Sequence, residues 1–339
     1  MSDLHVLATL RFSDDLLRLI QAVSPRIRLS QQTCRDAAEV ATALAEHPHT
    51  EVLYSLHLPA ESLSLARHLR WLQLHSAGAD HLLDHPIMQS GLFVTTTSGI
   101  HATPIAEYVL ASILAHRWQV ARWTRCQRGH EWPSGRWSVF ARTELRGSTV
   151  GIVGYGSIGR EVARLANAFG MRVLATARSG RSLDRGYILP GTGDRDGAIP
   201  EHLFSPAELH EMLAQCDYVV LALPLTPTTT HLIGEAELQA MRPGAYLVNI
   251  ARGPIVDEAA LAQAMREGRI AGAGLDVFEV EPLPPDSPLW DMDNVLISPH
   301  IAGHSPLYNE RAATLFAENL RRYLAGEPLL NLVDKRAGY

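Results

Sequence analysis

Four polar residues of this chain, Arg252, Asp276, Glu281 and His300, lie at or just beyond the ends of apolar, strand-like runs. If the runs form a parallel sheet covered by helices, their carboxyl ends share one edge, where ligands of such sheets bind. A forked, permanently charged guanidinium suits a carboxylate, and an imidazole titrates close to neutral pH. A carboxylate bonded to the second ring nitrogen would orient the imidazole. Arg252, Glu281 and His300 therefore form a minimal set for acid–base chemistry on a bound carboxylic acid.

Reduction of a 2-oxo acid is the chemistry that this set can perform. It needs a cation for the carboxylate, a proton donor for the carbonyl oxygen and a hydride from a nicotinamide. Arg252 suits the first task and His300 the second. Each residue also has a plainer interpretation: Arg252 in a surface ion pair, Glu281 as a loop charge before Pro282, and His300 as a strand-end cap. Their shared position beside a glycine-rich turn favours the joint function.

That turn, Gly-Tyr-Gly-Ser-Ile-Gly, begins at Gly154. The pattern alone is a weak signal, but here an apolar strand precedes it and an apolar-faced helix follows it. In that context the glycines permit a tight turn, close approach of a pyrophosphate, and contact between helix and strand. We therefore predict a dinucleotide site whose contacts come from Tyr155, Gly156, Ser157 and Ile158. An ordinary glycine-rich turn is the alternative.

The end of the next predicted strand bears on cofactor selectivity. An acid there would hold the ribose 2'-hydroxyl of NAD, but the chain has Ala177, followed by Arg178 and Ser179. Arg178 and Ser179, with Arg181 as a further candidate, can bind a 2'-phosphate through charge-assisted hydrogen bonds. We predict NADP as the favoured cofactor and NAD as the alternative, in which case both arginines are solvated loop charges.

The elements that must position these residues fall into two alternating series of strands and helices. At 339 residues the chain is long enough for two domains. We predict an α/β protein with two Rossmann-like, doubly wound parallel-sheet domains and a cleft between them. Residues 1–101 with 302–339 would form a flavodoxin-like substrate domain, and residues 102–301 an NAD(P)-binding domain. A long helix should start near Pro104, and Ser179 to Pro206 is predicted to be a surface insertion because it is long for a connection.

Composition restricts the function classes. The chain is 46% hydrophobic and 19% charged with a net charge of −6, which favours neither a nucleic-acid nor a membrane partner. Its three cysteines lack any disulfide or zinc spacing, so a reducing cytoplasm is expected. His81 and His85 are spaced as helix neighbours, but no HExxH-like glutamate lies between them, and we predict no metal site.

The chain closely resembles the D-isomer-specific 2-hydroxyacid dehydrogenase family from about Leu72 to Tyr323. The segments that carry this resemblance are Ser76-Ala77-Gly78-Ala79-Asp80, Ile105-Ala106-Glu107, the glycine turn, Leu223-Pro224-Leu225-Thr226, Asn249-Ile250-Ala251-Arg252-Gly253, Gly274-Leu275-Asp276-Val277-Phe278, Glu281-Pro282 and Ser298-Pro299-His300-Ile301-Ala302-Gly303.

The resemblance implies a role for each matching residue. Arg252 would bind the substrate carboxylate, His300 would be the acid–base group tuned by Glu281, and Asp276 would contact the nicotinamide carboxamide. Backbone amides of Ala77, Gly78 and Ala79 would hold the carboxylate from the other domain. Substrate binding would thus involve Ala77, Gly78, Ala79, Arg252 and His300, and further cofactor contacts would fall on Leu223, Pro224, Ile250, Ala251, Arg252, Asp276, His300 and Gly303.

The resemblance also implies a homodimer built around the helix from Ala102 to Arg128. The expected function is hydride transfer between NAD(P)H and C2 of a small 2-oxo or 2-hydroxy acid. Apolar Leu56 and Leu58 favour glyoxylate or hydroxypyruvate over a phosphorylated substrate. Two alternatives remain: a dinucleotide-sensing scaffold or corepressor without turnover, and the related formate dehydrogenase type, which has a glutamine where this chain has Glu281.

Overall fold

A computed structural model describes residues 3–178 and 180–339, which form two parallel β-sheets flanked by helices. The strands are β1 (Leu4–Ala8), β2 (Ile27–Gln31), β3 (Val52–Ser55), β4 (Trp71–Leu74), β5 (Phe93–Thr95), β6 (Thr149–Val153), β7 (Arg172–Thr176), β8 (His202–Phe204), β9 (Tyr218–Leu221), β10 (Tyr246–Asn249), β11 (Gly272–Leu275) and β12 (Val295–Ile297). The α-helices are α1 (Asp14–Gln21), α2 (Ala37–Glu46), α3 (Ser62–Leu65), α4 (Ala102–Arg117), α5 (Val120–Arg128), α6 (Arg136–Val139), α7 (Ser157–Ala168), α8 (Leu209–Leu213), α9 (Glu235–Ala240), α10 (Glu258–Arg266) and α11 (Tyr308–Ala325).

The chain divides into two compact units. The first comprises the chain up to His101, Arg185–Tyr187 and Ser305–Tyr339, and the second comprises Ala102–Asp184 and Ile188–His304. The predicted division differs from this in two short stretches. Residues 302–304 belong to the second unit because the amide of Ala302 donates to Asp276 at 2.8 Å. Arg185–Tyr187 belong to the first because the amide of Tyr187 donates to the side chain of Asn331 at 3.1 Å.

The first unit has a five-stranded parallel sheet in the order β2-β1-β3-β4-β5. This is a common doubly wound, flavodoxin-like order. Alternate residues of β1 face opposite sides: Val6 packs in the core that includes Phe316 of α11, whereas Leu7 packs in the core that includes Val40 of α2. Both faces of the sheet are therefore buried, as a parallel sheet requires.

The second unit has a seven-stranded sheet in the order β12-β11-β10-β9-β6-β7-β8. The strand order reverses beside β6, so the crevice between β6 and β9 is the topological switch point at which ligands of such sheets bind. Every residue of β6 is buried: Ile152 packs in the core that includes Val109 of α4, and Val153 in the core that includes Leu261 of α10. The two predicted parallel-sheet domains are confirmed.

The prediction that Ser179 to Pro206 is a surface insertion is wrong. The segment ends in β8, which pairs in parallel with β7. Adjacent parallel strands cannot be joined by a tight turn and need a connection of a dozen or more residues. Residues 180–201, which we call the crossover segment, make that connection with neither helix nor strand, and Asp194, Gly197 and Pro200 within it are buried.

The predicted long helix is interrupted. It begins at Ala102, with Pro104 in its first turn, but Gln119 adopts a left-handed conformation (φ 53°) that separates α4 from α5. No residue of α5 is buried. Among the described residues, no helix is both long and apolar enough to cross a membrane.

Candidate active site

The glycine-rich turn between β6 and α7 fits a dinucleotide. Gly154 has φ +99°, and an added Cβ would lie 2.6 Å from the carbonyl oxygen of Ala222; at Gly159 a Cβ would lie 2.3 Å from the carbonyl oxygen of Gly154. A Cβ on Gly156 would meet no atom within 4 Å, so its backbone borders open space. One glycine therefore makes the turn, one lets a pyrophosphate approach, and one lets the helix pack on the strand. Ser157 and Ile158 open α7, whose N-terminal amides suit an anion.

The turn after β7 contains Ala177 and Arg178, with no carboxylate at this strand end. Arg178 makes an interaction in this structure and is therefore not a free cation. Ser179 lies outside the described residues. Arg181 donates to the carbonyls of Gly197 and Pro200 at 3.0 and 2.8 Å. Because these bonds occupy its guanidinium with backbone carbonyls further along the crossover segment, Arg181 is a structural residue rather than a 2'-phosphate ligand.

Beyond β10 a buried asparagine fixes the turn that presents Arg252. The side chain of Asn249 accepts from the amide of Ala251 at 3.1 Å and donates to the carbonyl of Arg252 at 3.0 Å. At Gly253 an added Cβ would overlap the Phe278 carbonyl carbon at 1.8 Å, so only glycine fits there. The half-exposed Arg252 is thus held at the strand end by backbone contacts on both sides.

Glu281 and His300 form a hydrogen-bonded pair. Nδ1 of His300 donates to Oε2 of Glu281 at 2.8 Å, and Oε1 of Glu281 accepts from the amide of Phe278 at 3.1 Å. The carboxylate is thereby fixed by the backbone while it orients the imidazole. Both side chains are partly exposed, so Nε2 of the imidazole is free of this pairing and available to a bound molecule.

Asp276 at the end of β11 is buried and holds the loop that carries His300. Its Oδ1 accepts from the hydroxyl of Ser298 at 2.5 Å and from the amide of Ile301 at 2.8 Å, and its Oδ2 accepts from the amide of Ala302 at 2.8 Å. Tyr108 of α4 contacts the same hydroxyl at 2.6 Å. The carboxylate therefore accepts hydrogen bonds from the two amides that follow His300. The φ of His300 itself is +55°.

The other expected cofactor residues lie at the same edge of the second sheet. Leu223 and Pro224 follow β9, Ile250 and Ala251 follow β10, and Gly303 follows the His300 loop. Ile250 and Ala251 are 7% exposed, so their backbone rather than their side chains can reach a ligand. All strands of this sheet are parallel, so these positions and the Glu281–His300 pair share the carboxyl end.

Ala77, Gly78 and Ala79 lie in the first unit, in the turn after β4. The hydroxyl of Ser76 donates to the carbonyl of Gly78 at 2.7 Å. Thr97 and Tyr308 both donate their hydroxyls to the carbonyl of His75, at 2.8 and 2.6 Å. The turn is therefore held from both the β5 and the α11 sides.

Sequence analysis missed the residues that hold the site in place: Asn249, Ser298 and Tyr108. Asn249 and Ser298 fall within the motif segments, but a role for them depends on which amides lie nearby, and no spacing rule supplies that. A detectable signal was a polar side chain at the buried end of an apolar strand, since such groups need hydrogen-bond partners.

Comparison with known proteins identifies the family of this chain. Residues 110–302 match the family model described as "D-isomer specific 2-hydroxyacid dehydrogenase, NAD binding domain". Glyoxylate reductase of Thermofilum pendens is 37% identical over 280 residues, covering 82% of this chain and 78% of that protein. Glyoxylate reductase of Aeropyrum pernix is 37% identical over 302 residues, covering 87% and 86%.

Solved structures show the same fold over the whole chain. A D-isomer specific 2-hydroxyacid dehydrogenase from Xanthobacter autotrophicus, in complex with NADPH and MES, is 31% identical with a TM-score of 0.79 and covers 100% of both chains. An NADPH-dependent glyoxylate/hydroxypyruvate reductase from Sinorhizobium meliloti, in complex with NADP and sulfate, is 27% identical with a TM-score of 0.78, covering 99% of this chain and 100% of that one. The resemblance seen in the motifs is confirmed, and the chain belongs to the D-isomer-specific 2-hydroxyacid dehydrogenase family as an NAD(P)-dependent oxidoreductase.

Proposed function

We propose that this protein is an NADPH-preferring reductase of small 2-oxo acids, with glyoxylate and hydroxypyruvate as its favoured substrates. The observation that carries the proposal is the hydrogen-bonded pair of Glu281 and His300, 2.8 Å apart, at the carboxyl edge of a dinucleotide-binding sheet. A scaffold that only sensed a dinucleotide would not need an oriented imidazole. A formate dehydrogenase type is disfavoured because a carboxylate, rather than an amide, faces that imidazole.

His300 supplies the proton in this mechanism. Glu281 accepts a hydrogen bond from Nδ1–H and holds the imidazole ring in place, so Nε2–H is directed to the carbonyl oxygen of the substrate. When bound, the reduced nicotinamide supplies the hydride that C2 receives. The products are a 2-hydroxy acid and an imidazole that is neutral at Nε2; in the oxidative direction the same nitrogen takes the hydroxyl proton.

Arg252 binds the substrate carboxylate and polarises the adjoining carbonyl in this proposal. A guanidinium suits both tasks because it is always charged and offers a planar fork of donors. The amides of Ala77, Gly78 and Ala79 are proposed as a further set of carboxylate donors, as the family resemblance implies. Asp276 is proposed to contact the nicotinamide carboxamide while it holds the loop of His300.

The preference for NADPH rests on the end of β7. Ala177 removes the repulsion that a carboxylate would exert on a 2'-phosphate, and Arg178 follows directly. Two similar structures, from Xanthobacter autotrophicus and Sinorhizobium meliloti, are described with NADPH and NADP respectively. Arg178 is the residue that we assign to the 2'-phosphate, with Ser179 as its neighbour.

Substrate size is inferred from the loop after β3 and from the relatives. Leu58 is buried and Leu56 is half-buried in that loop, whereas a phosphate substituent would call for cations. Similar relatives from Thermofilum pendens, Korarchaeum cryptofilum and Aeropyrum pernix, each 37% identical, are named glyoxylate reductases. A short, uncharged substituent on the 2-oxo acid fits both observations.

The experiment that tests this function is oxidation of NADPH and NADH by the purified protein with glyoxylate, hydroxypyruvate, pyruvate, phenylpyruvate and 3-phosphohydroxypyruvate. We expect turnover of glyoxylate and hydroxypyruvate, with a higher kcat/KM for NADPH than for NADH. Turnover of 3-phosphohydroxypyruvate alone would contradict the substrate assignment. Tight dinucleotide binding without turnover of any acid would instead support the scaffold.

We further propose that the protein acts as a homodimer in the cytoplasm. Large side chains are exposed on and around α5 and α6: Trp118, Trp123, Trp132 and Trp137 are 60, 44, 83 and 80% exposed. Exposed aromatic side chains in one region are typical of association surfaces. The three cysteines are unpaired, which suits a reducing compartment.

A further inference from the structure

The start of α7, directly after the glycine-rich turn, carries two buried charged side chains that the crossover segment contacts; one of them, Glu161, is also paired with Arg164 of the same helix at 2.6 Å. Arg160 is 5% exposed and donates to the carbonyls of Asp194 and Ser182 at 2.6 and 2.8 Å. Glu161 is fully buried and accepts from the amide of Gly193 at 2.6 Å. Burying a charge without such partners is costly, so the crossover segment is an integral part of this helix terminus.

A second contact reaches the glycine-rich turn itself. The hydroxyl of Tyr155 donates to Oδ2 of Asp194 at 2.6 Å, and the guanidinium of Arg160 lies 4.9 Å from the centre of the Tyr155 ring. Asp194 also accepts from the amides of Ala198 and Ile199 at 3.0 and 2.9 Å. Burial would raise the pKa of Asp194, but these hydrogen bonds outweigh it and hold the pKa below its ordinary value. The aspartate is therefore an ionised acceptor at neutral pH.

A third set of contacts lies within the crossover segment and links its first residues, which form the loop after β7, to its last residues and to α7. Arg181 donates to the carbonyls of Gly197 and Pro200, and the carbonyl of Ser182 accepts from Arg160. The loops that would hold the pyrophosphate and the ribose are therefore linked through Arg160, which bonds both Asp194, the partner of Tyr155, and Ser182 in the loop after β7.

We propose that Asp194 and Tyr155 are positioning residues for the dinucleotide, and that the crossover segment braces the pyrophosphate turn against the ribose loop. The proposal rests on the proposed cofactor site. A braced turn presents its amides to the cofactor without an ordering cost at binding, whereas a loosened turn must be ordered first. The bracing acts on cofactor affinity and leaves the chemistry at His300 untouched.

The test is the dissociation constant of NADPH, followed by nicotinamide fluorescence, for the wild type and for Asp194→Ala, Asp194→Asn, Tyr155→Phe and the double variant Asp194→Ala/Tyr155→Phe. Tyr155→Phe, which removes one hydrogen bond, should raise the Kd by roughly three- to tenfold. Asp194→Ala removes that bond together with those from the amides of Ala198 and Ile199, and should raise the Kd at least as much. Its kcat with saturating NADPH should stay within about twofold of the wild type. Asp194→Asn keeps an acceptor for the tyrosine and should recover most of the affinity.

The double variant should bind NADPH no more weakly than the weaker single variant, because both substitutions remove the same contact. Tyr246→Phe is the matched control: it deletes another buried hydroxyl in the second unit, which contacts Ser112 at 3.1 Å at the opposite end of the sheet. Its Kd should equal that of the wild type.

Two results distinguish failure of the proposed cofactor site from failure of the bracing alone. A wild-type protein that does not bind NADPH would overturn the proposed cofactor site and the bracing with it. A wild type that binds NADPH, with Asp194→Ala and Tyr155→Phe both binding it equally well, would overturn the bracing alone.

Discussion

His300 presents its imidazole from a backbone conformation that histidine seldom adopts. Its φ is +55°, in the left-handed region that costs a residue other than glycine roughly 1 kcal/mol or more. Asp276 offsets this cost, because its carboxylate accepts hydrogen bonds from both amides that follow His300 in the chain. Asp276 therefore fixes the backbone from which the His300 side chain extends, and Glu281 fixes the rotation of the imidazole ring.

His300→Ala should slow the reduction of glyoxylate at saturating substrate by about 10²- to 10⁴-fold, the usual contribution of a positioned acid–base group. The reason is that the variant removes the imidazole, oriented by Glu281, that donates the proton to the carbonyl oxygen of the substrate. The Kd of NADPH should change little. Steady-state kinetics with a separate binding titration would measure both. His304→Ala, at a partly exposed histidine four residues further on, is the matched control, and near-wild-type turnover of His300→Ala would remove His300 from the mechanism.

At the level of elements, the predictions succeed where a strand is buried on both faces and fail at edges and irregular connections. The apolar strand that the sequence predicts before the glycine-rich turn is β6, all of whose residues are buried. β2 gives no comparable signal, because only Ile27 of this edge strand is buried and it has no clear period. The left-handed Gln119 that ends α4 gives no sequence signal, since neither glycine nor proline marks it.

The same distinction holds for the site. Arg252, Glu281 and His300 were identified because parallel strands bring their ends to one edge. The positions of Arg181 and Asp194 could not be inferred, because the crossover segment has no periodicity to fix its path. Its backbone is instead determined by buried partners on α7, and such pairings between distant residues are visible only in three dimensions.

The α5 and α6 region provides a prediction at this scale. If its exposed tryptophans contact a second copy, light scattering after gel filtration should give twice the chain mass of 37.2 kDa. Trp132→Asp/Trp137→Asp should shift the protein toward the monomer, because two charges would then have to be desolvated at the interface. Trp290→Asp, at another exposed tryptophan of the second unit, is the control. A dimer unaffected by the double variant would place the interface elsewhere.

Across the whole molecule, each unit contains a half-buried histidine that remains neutral at neutral pH. Burial lowers the pKa of His75 in the first unit to about 4, and the hydroxyl of Tyr54 lies 2.6 Å from its Nδ1. Burial, assisted by Arg117 and Arg142, lowers the pKa of His116 in the second unit to about 4. Both units are therefore expected to lose stability in mild acid, independently of the chemistry of the active site.

In the unfolded chain a histidine titrates near 6.5, so the unfolded state binds more protons between pH 6.5 and 4 than the folded state does. Stability is complete above pH 6.5 and falls as the pH drops toward 4, by on the order of 2–3 kcal/mol for each group. His75→Gln and His116→Gln should each flatten the fall in Tm between pH 7 and 4.5, measured by circular dichroism, and the double variant should flatten it further. The exposed His57→Gln should retain the wild-type slope. If both single variants also retain it, neither His75 nor His116 is the source of the acid sensitivity, and the proton uptake that accompanies unfolding belongs to other titratable groups.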